Sequence, residues 1–121
     1  MKKLFFLVSL LIFFASTGLL ANKTSVEIKA PAEVKKGTEV TLVVNVFHNG
    51  NSQNHHTDWV FIKINGKEVK RWTFDKENLP SGGDCTLEFK YLVTEDLTIE
   101  TEGHCNLHGS AGIKSTKIKT I

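Results

Sequence analysis

The segment His104-Cys105-Asn106-Leu107-His108-Gly109 carries a thiol and an imidazole three residues apart and ends in glycine. Cysteine binds transition metals as the soft thiolate and histidine as the neutral imidazole, so one tight turn can aim both at a common ion. The other histidines, His48, His55 and His56, lie together upstream, so all five fall in two short segments. A single loop histidine is ordinarily a surface residue. The gathering with a Cys-x-x-His turn makes His48, His55, Cys105 and His108 candidate metal ligands. Thiolate and imidazole suit iron, copper or zinc and poorly suit magnesium or calcium. Hydrolytic chemistry finds no support: no Ser-His-Asp arrangement or poised carboxylate pair is recognisable, and Asp58 reads as a solvent-face residue.

The elements that must position these residues follow a distinct N-terminus. Lys2 and Lys3 precede the apolar run Leu4 to Phe14, and small residues follow around Ala15, Ser16 and Gly18. That order predicts a secretory signal over residues 1–21, cleaved after Ala21. An uncleaved anchor is the alternative, because Leu4 to Ala21 approaches membrane-spanning length. Either way, residues 22–121 are expected to be exported, periplasmic or secreted, as one domain with a modest core. The leader takes two of the fifteen Lys and Arg residues and none of the thirteen acids, so the remainder carries no net formal charge. The basic overall balance is therefore no argument for a nucleic-acid partner, and none is expected.

Short alternating runs dominate the rest, with no repeat, linker or sustained helical period. Strands are expected at Ser25 to Lys29, Val40 to His48, Trp59 to Ile64, Glu68 to Phe74, Thr86 to Val93, Leu97 to Glu102 and Lys114 to Ile121. Ala30-Pro31-Ala32 breaks the first strand, and Asn65-Gly66 is the strongest hairpin signal. His48 continues the parity of Val40, Leu42, Val44 and Val46, so it leaves the core side at a strand end. About seven short antiparallel strands predict an all-β, immunoglobulin-like β-sandwich. The histidine segments and the Cys-His turn fall at strand ends, where they can meet at one pole. Cys85 shares one strand face with Leu87, Phe89, Tyr91 and Val93 and reads as a small buried hydrophobe. In an oxidising compartment a Cys85–Cys105 disulfide competes with the metal thiolate, and the ligand spacing around Cys105 favours the metal.

Three stretches resemble the iron-binding domain of the desulfoferrodoxin, neelaredoxin and superoxide reductase family: Ala30 to Gly37, His48 to Trp59 with its paired His55-His56, and Cys105-Asn106-Leu107-His108-Gly109. The last is the most specific, and the likeness covers most of the domain. The resemblance implies a mononuclear ferrous iron with four equatorial histidines, an axial cysteine and an open sixth position where superoxide is reduced to hydrogen peroxide. Carried over, His48, His55 and His108 would be equatorial and Cys105 axial. Lys23 would lie near the open face and draw the anion in. The implied partners are superoxide and an electron donor the sequence does not identify, with a homo-oligomer left open.

The departures are as specific. Thr24 stands where the family has its first ligand histidine, and no histidine precedes His48. The His48–His55 loop is one residue longer than the family pattern and lacks its proline. His56 and His104 are the candidates for a fourth nitrogen, but each neighbours an assigned ligand, and neighbours on an extended strand point oppositely. No second cysteine cluster is present, so the rubredoxin-like centre of some relatives is absent. A cupredoxin resemblance is the rival. Cys105, His108 and either His48 or His55 could form a copper site, but its axial methionine would fall near Ile113, and the only Met is Met1. An electron carrier or metal-binding module without catalysis, or an interaction domain with a vestigial site, are the corresponding non-enzymatic readings.

Overall fold

Alternation along the chain becomes alternation of burial. Val40, Leu42, Val44 and Val46 are all buried, while the residues between them are more exposed, as a strand with one face on a core requires. The computed structural model of the protein describes residues 22–121, so the expected leader lies outside them. Its strands are β1 (Ser25–Lys29), β2 (Glu33–Val34), β3 (Thr38–Phe47), β4 (Thr57–Ile64), β5 (Lys67–Thr73), β6 (Asp84–Val93), β7 (Leu97–Cys105) and β8 (Lys114–Thr120), and no helix occurs among the described residues.

Two sheets form, one in the order β1-β3-β6 and the other β2-β8-β7-β4-β5. Val26, Leu42, Val44 and Val46 of the first meet Val60, Ile62, Ile99 and Ile118 of the second in one buried cluster. The fold is all-β, as expected, with eight strands instead of about seven. The additional strand is β2, and it pairs with β8 in parallel, which corrects the wholly antiparallel expectation. Two residues after a proline are too short to show any period. At the β4–β5 hairpin, Asn65 and Gly66 both adopt positive φ, 50° and 83°, as a type I′ turn demands.

Strand β7 bears most directly on the chemistry. Its burial alternates without a break from Leu97 to Cys105, so the strand continues three residues past the expected end at Glu102. The inward positions there are Thr101, Gly103 and Cys105, which carry little hydrophobic signal. A Cβ on Gly103 would lie 2.8 Å from Thr24 Cγ2 and 3.0 Å from Val26 Cγ1, so glycine lets Thr24 and β1 close over β7. Opposite, β4 begins at Thr57, two residues before the expected Trp59. Thr57 pairs with Cys105 and Trp59 with His104, leaving Asp58 as an extra residue in a bulge. The bulge changes parity: Thr57 is fully buried beside Cys105, while Trp59 is only half-buried.

Candidate metal centre

Each candidate ligand is placed by backbone that the strands fix. His48 follows β3 directly, and its amide donates to the Gly83 carbonyl at 2.9 Å, holding it against the approach to β6. Cys105 ends β7, and its amide and carbonyl both bond Gly109, at 2.9 Å each, closing the turn that carries His108. Gly109 sits at φ 79°, a conformation that favours glycine. Asn106 anchors His55 from both sides: its Nδ2 donates to the Asn54 carbonyl at 3.2 Å, and its Oδ1 accepts the His56 amide at 3.0 Å.

These constraints bring the donors together. Ligand atoms of His48, His55 and Cys105 all lie within 4.8 Å of one another. His108 joins them, its Nδ1 3.1 Å from His55 Nε2 and 4.0 Å from Cys105 Sγ. Donors about 2.0–2.3 Å from one ion must lie roughly 3–4.5 Å apart, so the set is only slightly wider than a bound metal needs. The rings of His48 and His55 meet edge to face at 80°, and those of His55 and His108 at 79°.

A packed-core explanation for His48 fails on one atom. Its Nε2 is buried and has no hydrogen-bond partner among the described residues. Buried polar atoms are nearly always paired, and an unpartnered imidazole nitrogen on a residue of the donor cluster is what a metal would satisfy. Burial chiefly holds the His48 pKa below its ordinary 6.5, with charge on His55 and His108 acting in the same direction, so the ring is favoured in the neutral form that ligates. Cys85 and Cys105 are both free thiols. Cys105 is fully buried, whereas Cys85 is only half-buried, against the expectation of a buried hydrophobe. Burial, with Asp84 beside it, pushes the Cys85 thiol up, away from the thiolate.

Neither neighbouring histidine stands in the cluster. His56 is buried with its Nδ1 3.0 Å from the Ser52 carbonyl. His104 stacks on Trp59 at 4.9 Å with the planes 5° apart. Its Nδ1 lies 2.7 Å from Asp58 Oδ1, so Asp58, read from sequence as merely solvent-facing, holds a ring. Lys23 lines an open cleft of about 500 Å³ together with His48, Gly50 and Asp84. Asn51 and Thr57, not given a role from sequence, and Asn106, quoted there only as part of the Cys-His turn, each support the site; residue type alone does not show which asparagine commits its side chain to hydrogen bonds.

Thr24 fills its position with a different interaction. It is fully buried, and its hydroxyl meets that of Thr57 at 2.8 Å, next to Cys105 in the sheet. Thr24→Val should orphan the Thr57 hydroxyl and cost about 1–3 kcal/mol, whereas the double change with Thr57→Val should come back close to neutral. Chemical denaturation of the four proteins of that cycle reads the difference; equal, additive losses would deny the pairing.

The desulfoferrodoxin family profile matches residues 20–111. The chain belongs to the desulfoferrodoxin family. Among solved structures, the fold resembles a superoxide reductase (neelaredoxin) from Ignicoccus hospitalis, at 22% identity and a TM-score of 0.66, covering 82% of this chain and 83% of that one. It also resembles a Thermotoga maritima protein described as a candidate superoxide reductase, at 27% identity and a TM-score of 0.62, covering 85% and 90%. No curated protein matches the sequence. Within this desulfoferrodoxin domain, the signature turn and the paired-histidine stretch converge in space.

Proposed function

We propose that this protein is an exported, mononuclear iron protein of superoxide reductase type that converts superoxide to hydrogen peroxide. The observation that carries the reading is the convergence of His48, His55, His108 and Cys105 around a buried, unpartnered imidazole nitrogen in a desulfoferrodoxin-family domain. These four residues would hold the metal, three as neutral imidazoles and Cys105 as an anionic, electron-donating thiolate. When bound, iron supplies the one electron that superoxide needs. The overall change consumes that electron and two protons per superoxide, so a separate donor must restore the reduced state.

The chain's own residues do the rest. Full burial shields the Cys105 sulfur from solvent and stray oxidants. Lys23, in the cleft beside His48, draws in a small anion, while Asp84 on the same cleft keeps that attraction moderate. The leader and export are part of the proposal and rest on the sequence of residues 1–21.

Purified protein should bind about one iron per chain, and its reduced form should consume superoxide above the buffer rate. Loss of both would end the reading. A second reading draws on Thr24: with no imidazole there, four donors remain, a number that also suits a cupredoxin-like copper carrier. Stoichiometric copper with an intense blue band, and no superoxide consumption, would select it.

A further inference from the structure

We infer that Asn51 is a positioning residue that fixes His48 in its Nδ1–H tautomer and thereby aims the Nε2 lone pair into the donor cluster. The tautomer assignment stands on hydrogen bonds alone; its consequence for metal binding rests on the reading above.

The orientation of the Asn51 amide is set by two backbone groups of fixed character. Its oxygen accepts the Thr57 amide N–H at 2.9 Å, and its nitrogen donates to the Gly82 carbonyl at 2.5 Å. A backbone N–H can only donate and a carbonyl can only accept, so the amide cannot be turned over. The same Oδ1 lies 3.1 Å from His48 Nδ1. A carboxamide oxygen has no proton to give, so the proton between them belongs to Nδ1. In a neutral imidazole the remaining lone pair then sits on Nε2, the buried atom that has no partner. Asn51 thus assigns the Nδ1 end of the ring, with the Gly50 backbone as a further hydrogen-bonding neighbour of the imidazole.

Asn51 also has a mechanical role that must be separated from this one. It joins the loop after β3 to the start of β4 and to the segment before β6. Outer-shell partners of ligand histidines set both ring orientation and basicity.

The decisive measurement is imidazole nitrogen NMR on metal-free protein, at a pH where the histidines are neutral. Wild type should show His48 protonated on Nδ1, and Asn51→Leu should lose that preference. With Co2+ as the probe, Asn51→Leu should bind roughly 10–100-fold more weakly. Asn51→Asp keeps the acceptor for Nδ1–H and drops the donor to Gly82, so it should retain the tautomer and bind closer to wild type than to Asn51→Leu. His48 protonated on Nε2 in the wild type would overturn the inference without any variant. So would a folded Asn51→Leu protein with undiminished Co2+ affinity. A wild type with the Nδ1–H tautomer and no Co2+ binding would remove the metal reading and leave the tautomer assignment in place.

Discussion

Cys105→Ala should abolish the thiolate-to-iron charge-transfer band and bring superoxide consumption down to the buffer rate. Iron affinity should fall at least about 100-fold, since even outer-shell losses at metal sites reach that size. The variant should still fold. The Cys105–Gly109 turn is closed by two backbone hydrogen bonds, and the Cys105 position in β7 is held by pairing with Thr57, none of which needs the sulfur. Removing one atom from a fully buried site costs little beside the loss of an anionic ligand. Cys85→Ala is the matched control, because its half-buried thiol is pushed away from ionisation and stands outside the donor cluster. An iron spectrum that survives in Cys105→Ala and disappears in Cys85→Ala would overturn the assignment of the thiolate.

The site was legible where chemistry and period coincide. His48 extends the inward parity of Val40 to Val46, so its burial follows from counting by two. The Cys-x-x-His turn marks itself by residue type, and the family profile then spans both segments. What was not legible depends on departures from regular pairing. The extra residue at Asp58 turns Thr57 inward, and no alternation of side-chain type announces a bulge. Strand β7 reaches Cys105 through Thr101 and Gly103, small or polar residues at inward positions that a hydrophobic pattern passes over. Asn51 sits among other polar residues and Asn106 inside the Cys-His turn, and only the folded loops show that their side chains brace the candidate ligands.

Thr24 shows how a small polar side chain can be buried beside the donor cluster without a defect. A buried hydroxyl would ordinarily cost stability if it lacked a partner. Here the side chain pairs its hydroxyl with Thr57, and Gly103 lets its methyl pack closely against β7. The position also braces the site: the Thr24 amide donates to the Gly109 carbonyl at 3.3 Å and its carbonyl accepts from Ala111 at 2.9 Å, so it helps hold the turn that carries Cys105 and His108.

His48→Leu should separate stability from metal binding, with opposite signs. The substitution removes a buried nitrogen without a partner, a defect worth about 1–3 kcal/mol, and gives up one hydrogen bond to Asn51 worth about 1 kcal/mol. Metal-free stability is therefore expected to hold or rise. Binding should collapse: wild type gains about 2.7 kcal/mol from metal at a hundred times its dissociation constant, and the variant should gain nothing. The acid side supplies an independent check. Because burial depresses the His48 pKa in the folded state, the unfolded chain takes up a proton first as pH falls. The part of metal-free stability linked to His48 should thus be complete above the ordinary value of 6.5 and be lost progressively as pH drops from there through the folded-state pKa. In His48→Leu that part of the decline should vanish. Denaturant titrations across pH, with and without metal, read all three expectations. A metal-free His48→Leu protein several kcal/mol less stable than wild type would make His48 a core residue in the ordinary sense. A stable one that no longer responds to metal or to mild acid would mean that the unpaired nitrogen is maintained for a ligand, at the expense of the fold.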